Sequence, residues 1–82
     1  MEEVIVDYRQ QIVVDPDILL GKPVIKGTRI SVELILKKLS EGMGVKELLE
    51  AYPNLTTENI FAALSYSADV ISREEFIASS LY

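Results

Sequence analysis

The chain contains no cysteine, no histidine and no tryptophan. Without thiols there is neither a disulfide framework nor a thiolate nucleophile, and without imidazole the common zinc sites lose a ligand type. A reducing cytoplasm suits such a chain. Missing too is any apolar run near the ~20 residues that a membrane span requires. The opening stretch, MEEVIVDYRQ, is acidic and lacks the basic-then-apolar pattern of a signal peptide. Basic residues are scarce as well, eight against thirteen acidic ones for a net charge of −5, which argues against a general nucleic-acid binder. With four glycines and three prolines there is no linker, and no repeat or low-complexity segment interrupts the 82 residues.

What is abundant is hydrophobic surface. Hydrophobic residues make up 49% of the chain, towards the high end for one globular domain. A domain this small buries roughly 60–65% of its unfolded surface, enough for a single marginal core. Several apolar residues fall outside any internal pattern, and a partner chain or a homodimer is the simplest way to cover them.

The chain is organised around residues 44–71, GVKELLEAYPNLTTENIFAALSYSADVI. Val45, Leu48, Leu49 and Tyr52 share one face at helical spacing. Ile60, Leu64, Ala68 and Ile71 form the matching stripe of a second helix, with Phe61 beside it. Pro53 stops the first helix because it lacks an N–H and its ring collides with the preceding turn. Thr56 is suited to cap the second by accepting from the amide of Asn59, and Glu58 stands in its first turn, where the helix dipole favours a carboxylate. So short a corner makes the two helices cross over one core, a helix–turn–helix shape.

Ahead of this lie short β segments. Residues 4–8 alternate like an edge strand or lead-in, and residues 11–14 read as a strand ending in the turn residues Asp15, Pro16 and Asp17. Ile18, Leu19 and Leu20 are expected to pack inward. In GKPVIKGTRI (residues 21–30), Val24 and Ile25 face residues 28–30 across a two-residue loop, Lys26 and Gly27, that needs φ > 0 at Gly27. A phosphate loop is ruled out because no Lys stands between Gly27 and Thr28. Arg29 is expected to pair with Asp15 or Asp17 and pin the hairpin. Ser31 caps the next helix, which carries Val32, Ile35, Leu36 and Leu39 on its apolar face with Lys37 and Lys38 outward. Gly42 ends it. Ser72, Arg73, Glu74 and Glu75 have the form of a capping box, opening either a short fourth helix or a continuation of the third.

The fold expected is therefore mainly α. An amino-terminal arm (residues 1–10) precedes a three-helix helix–turn–helix domain with short β-strands or a hairpin at its start (residues 11–71). A carboxy-terminal tail or short helix follows (residues 72–82).

Little here suggests an enzyme. Asp15 and Asp17 are the one close carboxylate pair in a loop and are explained by a turn, while Ser65, Ser67, Ser79 and Ser80 have no base in sight. No cofactor or metal is implied. Charge is uneven, however: residues 22–46 hold six basic side chains against two acidic (+4), and the remainder holds two against eleven (−9). Lys22, Lys26, Arg29, Lys37, Lys38 and Lys46 could hold phosphates, with Thr57 and Asn59 of the last helix available to base edges. The plain alternative is a solvated, unevenly charged surface, with the last helix simply a strut of the core.

The stretches DPDILLGKPVIKGTRISVELIL and LLEAYPNLTTENIFAALSYSADVI resemble the family called domain of unknown function 433, over about residues 11–71. The Gly-Lys-Pro-Val-Ile-x-Gly-Thr-Arg and Tyr-Pro-x-Leu elements carry the likeness. The resemblance implies a small homeodomain-like protein comparable to VapB-type antitoxins, one that binds a PIN-like ribonuclease toxin and sometimes its own operator DNA. Since a PIN-like nuclease clusters carboxylates about a metal, an inhibitor is expected to insert Arg or Lys or to cover the cleft. Arg73, with Phe76, Ile77 and Leu81 of the tail, and Arg9 of the amino-terminal arm are the candidates for that contact. Two other classes fit the same residues: a stand-alone DNA-binding repressor, and a homodimeric structural adaptor with no nucleic-acid activity.

Overall fold

The structure, a computed structural model, describes residues 8–81, and side chains through Arg73. The expected strand over residues 4–8 therefore lies almost wholly outside the described residues, and Tyr8 itself belongs to a 3-10 turn, Tyr8–Gln10. Strand β1 (Ile12–Val13) runs antiparallel to β2 (Val24–Ile25), with Ile12 opposite Ile25 and Val13 opposite Val24. Between them Asp15 accepts the amide of Asp17 at 2.9 Å through its side chain, the turn that this Asp-Pro-Asp sequence favours.

Two expectations about this region need correcting. Residues 28–30 form no strand; β2 pairs with β1, and its other edge returns through single bonds from Ile25 N to Ile30 O and from Val32 N to Pro23 O, both 2.9 Å. The loop is thus longer than two residues, although Gly27 does take a positive φ (+80°) at the turn closed by Thr28 N to Ile25 O. Nor do Leu19 and Leu20 pack inward, although Ile18 before them is half-buried. Leu19 and Leu20 both sit in the left-handed region (φ 47° and 57°), and this twist throws Leu20 outward to 96% exposure. Backbone handedness overrides hydrophobicity here.

The helices follow their local chemistry. Helix α1 (Val32–Ser40) begins at Ser31, whose hydroxyl accepts from the Leu34 amide at 3.0 Å. It ends at Gly42, where φ is +96° and the Met43 amide reaches back to Lys38 O. Helix α2 (Val45–Ala51) stops at Tyr52 ahead of Pro53, and the Leu55 amide closes the corner on Tyr52 O at 2.9 Å. Helix α3 (Thr57–Leu81) opens on a reciprocal cap: Thr56 Oγ1 accepts from the Asn59 amide (3.1 Å) and Asn59 Oδ1 from the Thr56 amide (3.0 Å). No proline or glycine follows, so α3 runs unbroken for 25 residues, about 37 Å. Residues 72–75 open no separate helix.

One core unites these elements: Ile25, Val32, Ile35, Leu48, Leu55, Ile60 and Ala63 are buried together, with Leu36, Leu39, Tyr52 and Tyr66 packed against them. Of the stripe expected on α3, Ile60 alone is buried. Ala62 and Ala63 have no exposure, whereas Phe61, Leu64 and Ile71 are 49%, 40% and 52% exposed and Ala68 is exposed too. Period 3.6 accommodates two apolar stripes on this helix. Ala62 and Ala63 favour the inner one because small side chains let helix backbones approach closely.

Candidate binding surfaces

The amino-terminal turn is clasped to α3 by side chains far apart in sequence. Tyr8 donates its hydroxyl to Asp69 and stacks edge-on against Tyr66, ring centres 5.5 Å apart. The hydrogen bond to Asp69 holds the Tyr8 hydroxyl pKa above its usual value. Arg73 lies 3.5 Å from the same carboxylate, so this tail cation already has an acidic neighbour. Nearby, Asn59 donates Nδ2 to Gln11 Oε1 at 2.8 Å while its oxygen caps α3. Asn59 thus bonds both to the cap of α3 and to the amino-terminal segment. Thr57 is exposed beside it.

The basic residues lie on the hairpin, α1 and the start of α2. Lys22 pairs with Glu33 at 3.3 Å and Lys38 with Glu41 at 3.8 Å, while Lys26, Lys37 and Lys46 are exposed. Exposed pairs of this sort contribute about 0.2–1 kcal/mol and yield easily to a competing anion. Arg29 forms no ion pair with Asp15 or Asp17; Asp15 is turned to its own loop. Instead Arg29 borders a hollow of about 510 Å³ with Ile18, Gly27, Thr28 and Asn54. That hollow joins the two sequence elements around Gly27–Arg29 and Pro53–Leu55. Before Arg73, α3 carries no cation, only Glu58 and Asp69. The clustered basic residues thus lie off the third helix.

An apolar surface completes the inventory. A groove of about 280 Å³ runs between α1 and α3, walled by Pro23, Val32, Leu36, Tyr66, Val70 and Ile71. Ile71 also belongs to the exposed ridge of Phe61, Leu64 and Ala68. Sequence reasoning assigned this ridge to the core; its signal as a surface was the second stripe at 61, 64, 68 and 71. Leu20 was missed for another reason, since nothing in its neighbours announces a left-handed leucine. The side chains of Phe76, Ile77 and Leu81 lie outside the described residues, and Arg9 is exposed on the amino-terminal turn. Among the described residues no helix is long and apolar enough to cross a membrane, and no acidic cluster is placed to hold a metal ion.

Comparison with known proteins places this architecture. The family model described as protein of unknown function (DUF433) matches residues 12–67, most of the chain. The chain belongs to the DUF433 family. The match runs from β1 into α3 and so takes in the hairpin, the Pro53 corner and the inner face of α3, confirming the family likeness read from the sequence. A DUF433 member from Anabaena variabilis ATCC 29413, known from a crystal structure, has a similar fold, with a TM-score of 0.68 at 35% identity. The similarity covers 83% of this chain and 74% of that one. The uncharacterized protein y4eO of Sinorhizobium fredii (strain NBRC 101917 / NGR234) is 39% identical over 59 residues, 72% of this chain. The chain spans 27% of that relative's length.

Proposed function

We propose that this protein is a non-enzymatic, antitoxin-like regulator: it captures a PIN-like ribonuclease toxin through its carboxy-terminal tail and turns its basic face towards operator DNA. The observation that supports the reading best is the course of α3. Among the described residues the last half-buried position of α3 is Val70. Ile71, Ser72 and Arg73 are exposed while the helix runs on to Leu81, and we read Arg73 as carried towards a partner. Tail residues Arg73, Phe76, Ile77 and Leu81, with Arg9 of the amino-terminal turn, supply the cation and apolar contacts that a carboxylate-lined nuclease cleft would accept. Operator phosphates would be met by Lys22, Lys26, Arg29, Lys37, Lys38 and Lys46. With Asn59 committed to its cap and no cation on α3 before Arg73, sequence readout by that helix is weak, and DNA binding follows the salt-dependent phosphate term.

Co-expression with the product of the adjacent open reading frame tests this reading. The full chain is expected to co-purify with a nuclease and silence it, and deletion of residues 72–82 is expected to abolish capture with the core still folded. Undiminished capture by the shortened chain, or an adjacent product without nuclease activity, would overturn it.

A further inference from the structure

We infer that the hollow between the turn at Gly27 and the Pro53 corner binds a phosphate monoester, with Arg29 and Asn54 holding its terminal oxygens. The hollow, about 510 Å³, is lined by Ile18, Gly27, Thr28, Arg29 and Asn54. That volume lies in the range of about 300–1,000 Å³ that small organic ligands fill, beyond what a bare inorganic ion needs. No carboxylate lines it, in a chain with thirteen acidic residues. Among the described residues, the side chains of Arg29 and Asn54 and the amide of Gly27 make no hydrogen bond or ion pair. The backbone that carries them is fixed. Around Arg29, Thr28 Oγ1 donates to Ile25 O at 2.8 Å and accepts from the Ile30 amide at 3.0 Å, and Ile30 O accepts from the Ile25 amide at 2.9 Å. Beside Asn54, Leu55 is buried and its amide is bonded to Tyr52 O. A site held in place before its ligand arrives loses little freedom on binding.

The donor set selects the occupant. A guanidinium edge meets two oxygens of one anion as a fork. A carboxylate has only two oxygens, and so does a phosphodiester within a duplex backbone once its bridging atoms are discounted. A phosphate monoester keeps a third for Asn54 or the Gly27 amide. It also carries about −1.5 to −2 charge at pH 7, and Lys26, exposed beside Gly27, adds a second cation to match. Ile18, half-buried, gives the organic part of the ligand an apolar wall. Gly27, at φ +80°, has nothing within 4 Å of where a Cβ would stand, which leaves that side of the hollow open. This inference goes beyond the operator reading, in which Arg29 is one surface cation among several, and does not rest on it.

Amide NMR on the full chain tests it, with adenosine monophosphate, inorganic phosphate, adenosine and an unphosphorylated DNA duplex as probes. Adenosine monophosphate should shift the amides of Gly27, Thr28, Arg29 and Asn54 with a Kd of about 1 mM or below. Inorganic phosphate should shift the same amides more weakly, and adenosine should leave them in place. Arg29→Gln should weaken the nucleotide at least about tenfold. Asn54→Asp, which sets a carboxylate against the phosphate, should do the same. Both positions are exposed, so circular dichroism should match the native chain for each variant. No shift from the nucleotide at about 10 mM, equal shifts from adenosine, or native affinity in Arg29→Gln would overturn the site. Larger shifts of these amides from the duplex than from the nucleotide would also overturn it and return Arg29 to a nucleic-acid surface.

Discussion

The two faces of α3 are both apolar, yet they are built from different side chains. Inward lie Ile60, Ala62 and Ala63, all at zero exposure; outward lie Phe61, Leu64 and Ile71, each between 40% and 52% exposed. Ala62 and Ala63 let α3 pack closely beside the bulky Ile60, whereas Phe61, Leu64 and Ile71 lie where nothing within the described residues covers them. Hydrophobicity therefore does not decide which face is the core. The tertiary contacts of α3 with the rest of the core do.

Several substitutions would break or sharpen that contrast. Ile60→Ala should lower the unfolding free energy by about 3 kcal/mol in a urea melt, since a closed core cannot refill the cavity. Its neighbour Phe61→Ala should cost less than about 1 kcal/mol under monomeric conditions. Equal losses would erase the distinction between the faces. Asn59→Ala removes both the cap and the bond to Gln11, and should cost about 2 kcal/mol, against about 1 kcal/mol for Thr56→Ala. Leu20→Gly should stabilise the fold by about 1 kcal/mol, because it relieves a left-handed backbone and sacrifices no burial. That would show another outward apolar side chain to be dispensable for folding.

The smallest effect concerns the clasp. Binding to Asp69 raises the Tyr8 pKa above 10, so the clasp contributes its stability below pH 10 and loses it as pH rises through the raised value. Urea midpoints from pH 8 to pH 11 should fall at the alkaline end for the native chain. For Tyr8→Phe they should lack that component.

Much of the fold was legible because it is locally encoded. Ser31, Thr56, Gly42 and Gly27 each act within a few residues of chain, and Pro53 needs no partner to end a helix. What could not be read depends on distance. Asn59 looked free because its second partner, Gln11, is 48 residues away. Arg29 looked paired because two acids were near in sequence, although Asp15 turns to the amide of Asp17. The stripe on α3 was assigned to the wrong side because helical period alone fits both. Of the candidate surfaces, the basic residues were visible as charges, but their ion pairs with Glu33 and Glu41 were not.

Aspartate introduced at two adjacent positions of α3 provides the most direct test of its two faces. Ala63→Asp buries an unpaired charge among Ile25, Ile35 and Leu48 and should cost at least about 3 kcal/mol, enough to unfold a domain of this size or bring it close. Leu64→Asp should leave a folded monomer with a urea midpoint near that of the native chain under monomeric conditions. An Ala63→Asp chain with a urea midpoint near that of the native chain, or a Leu64→Asp chain that loses its core, would contradict the assignment of inner and outer faces.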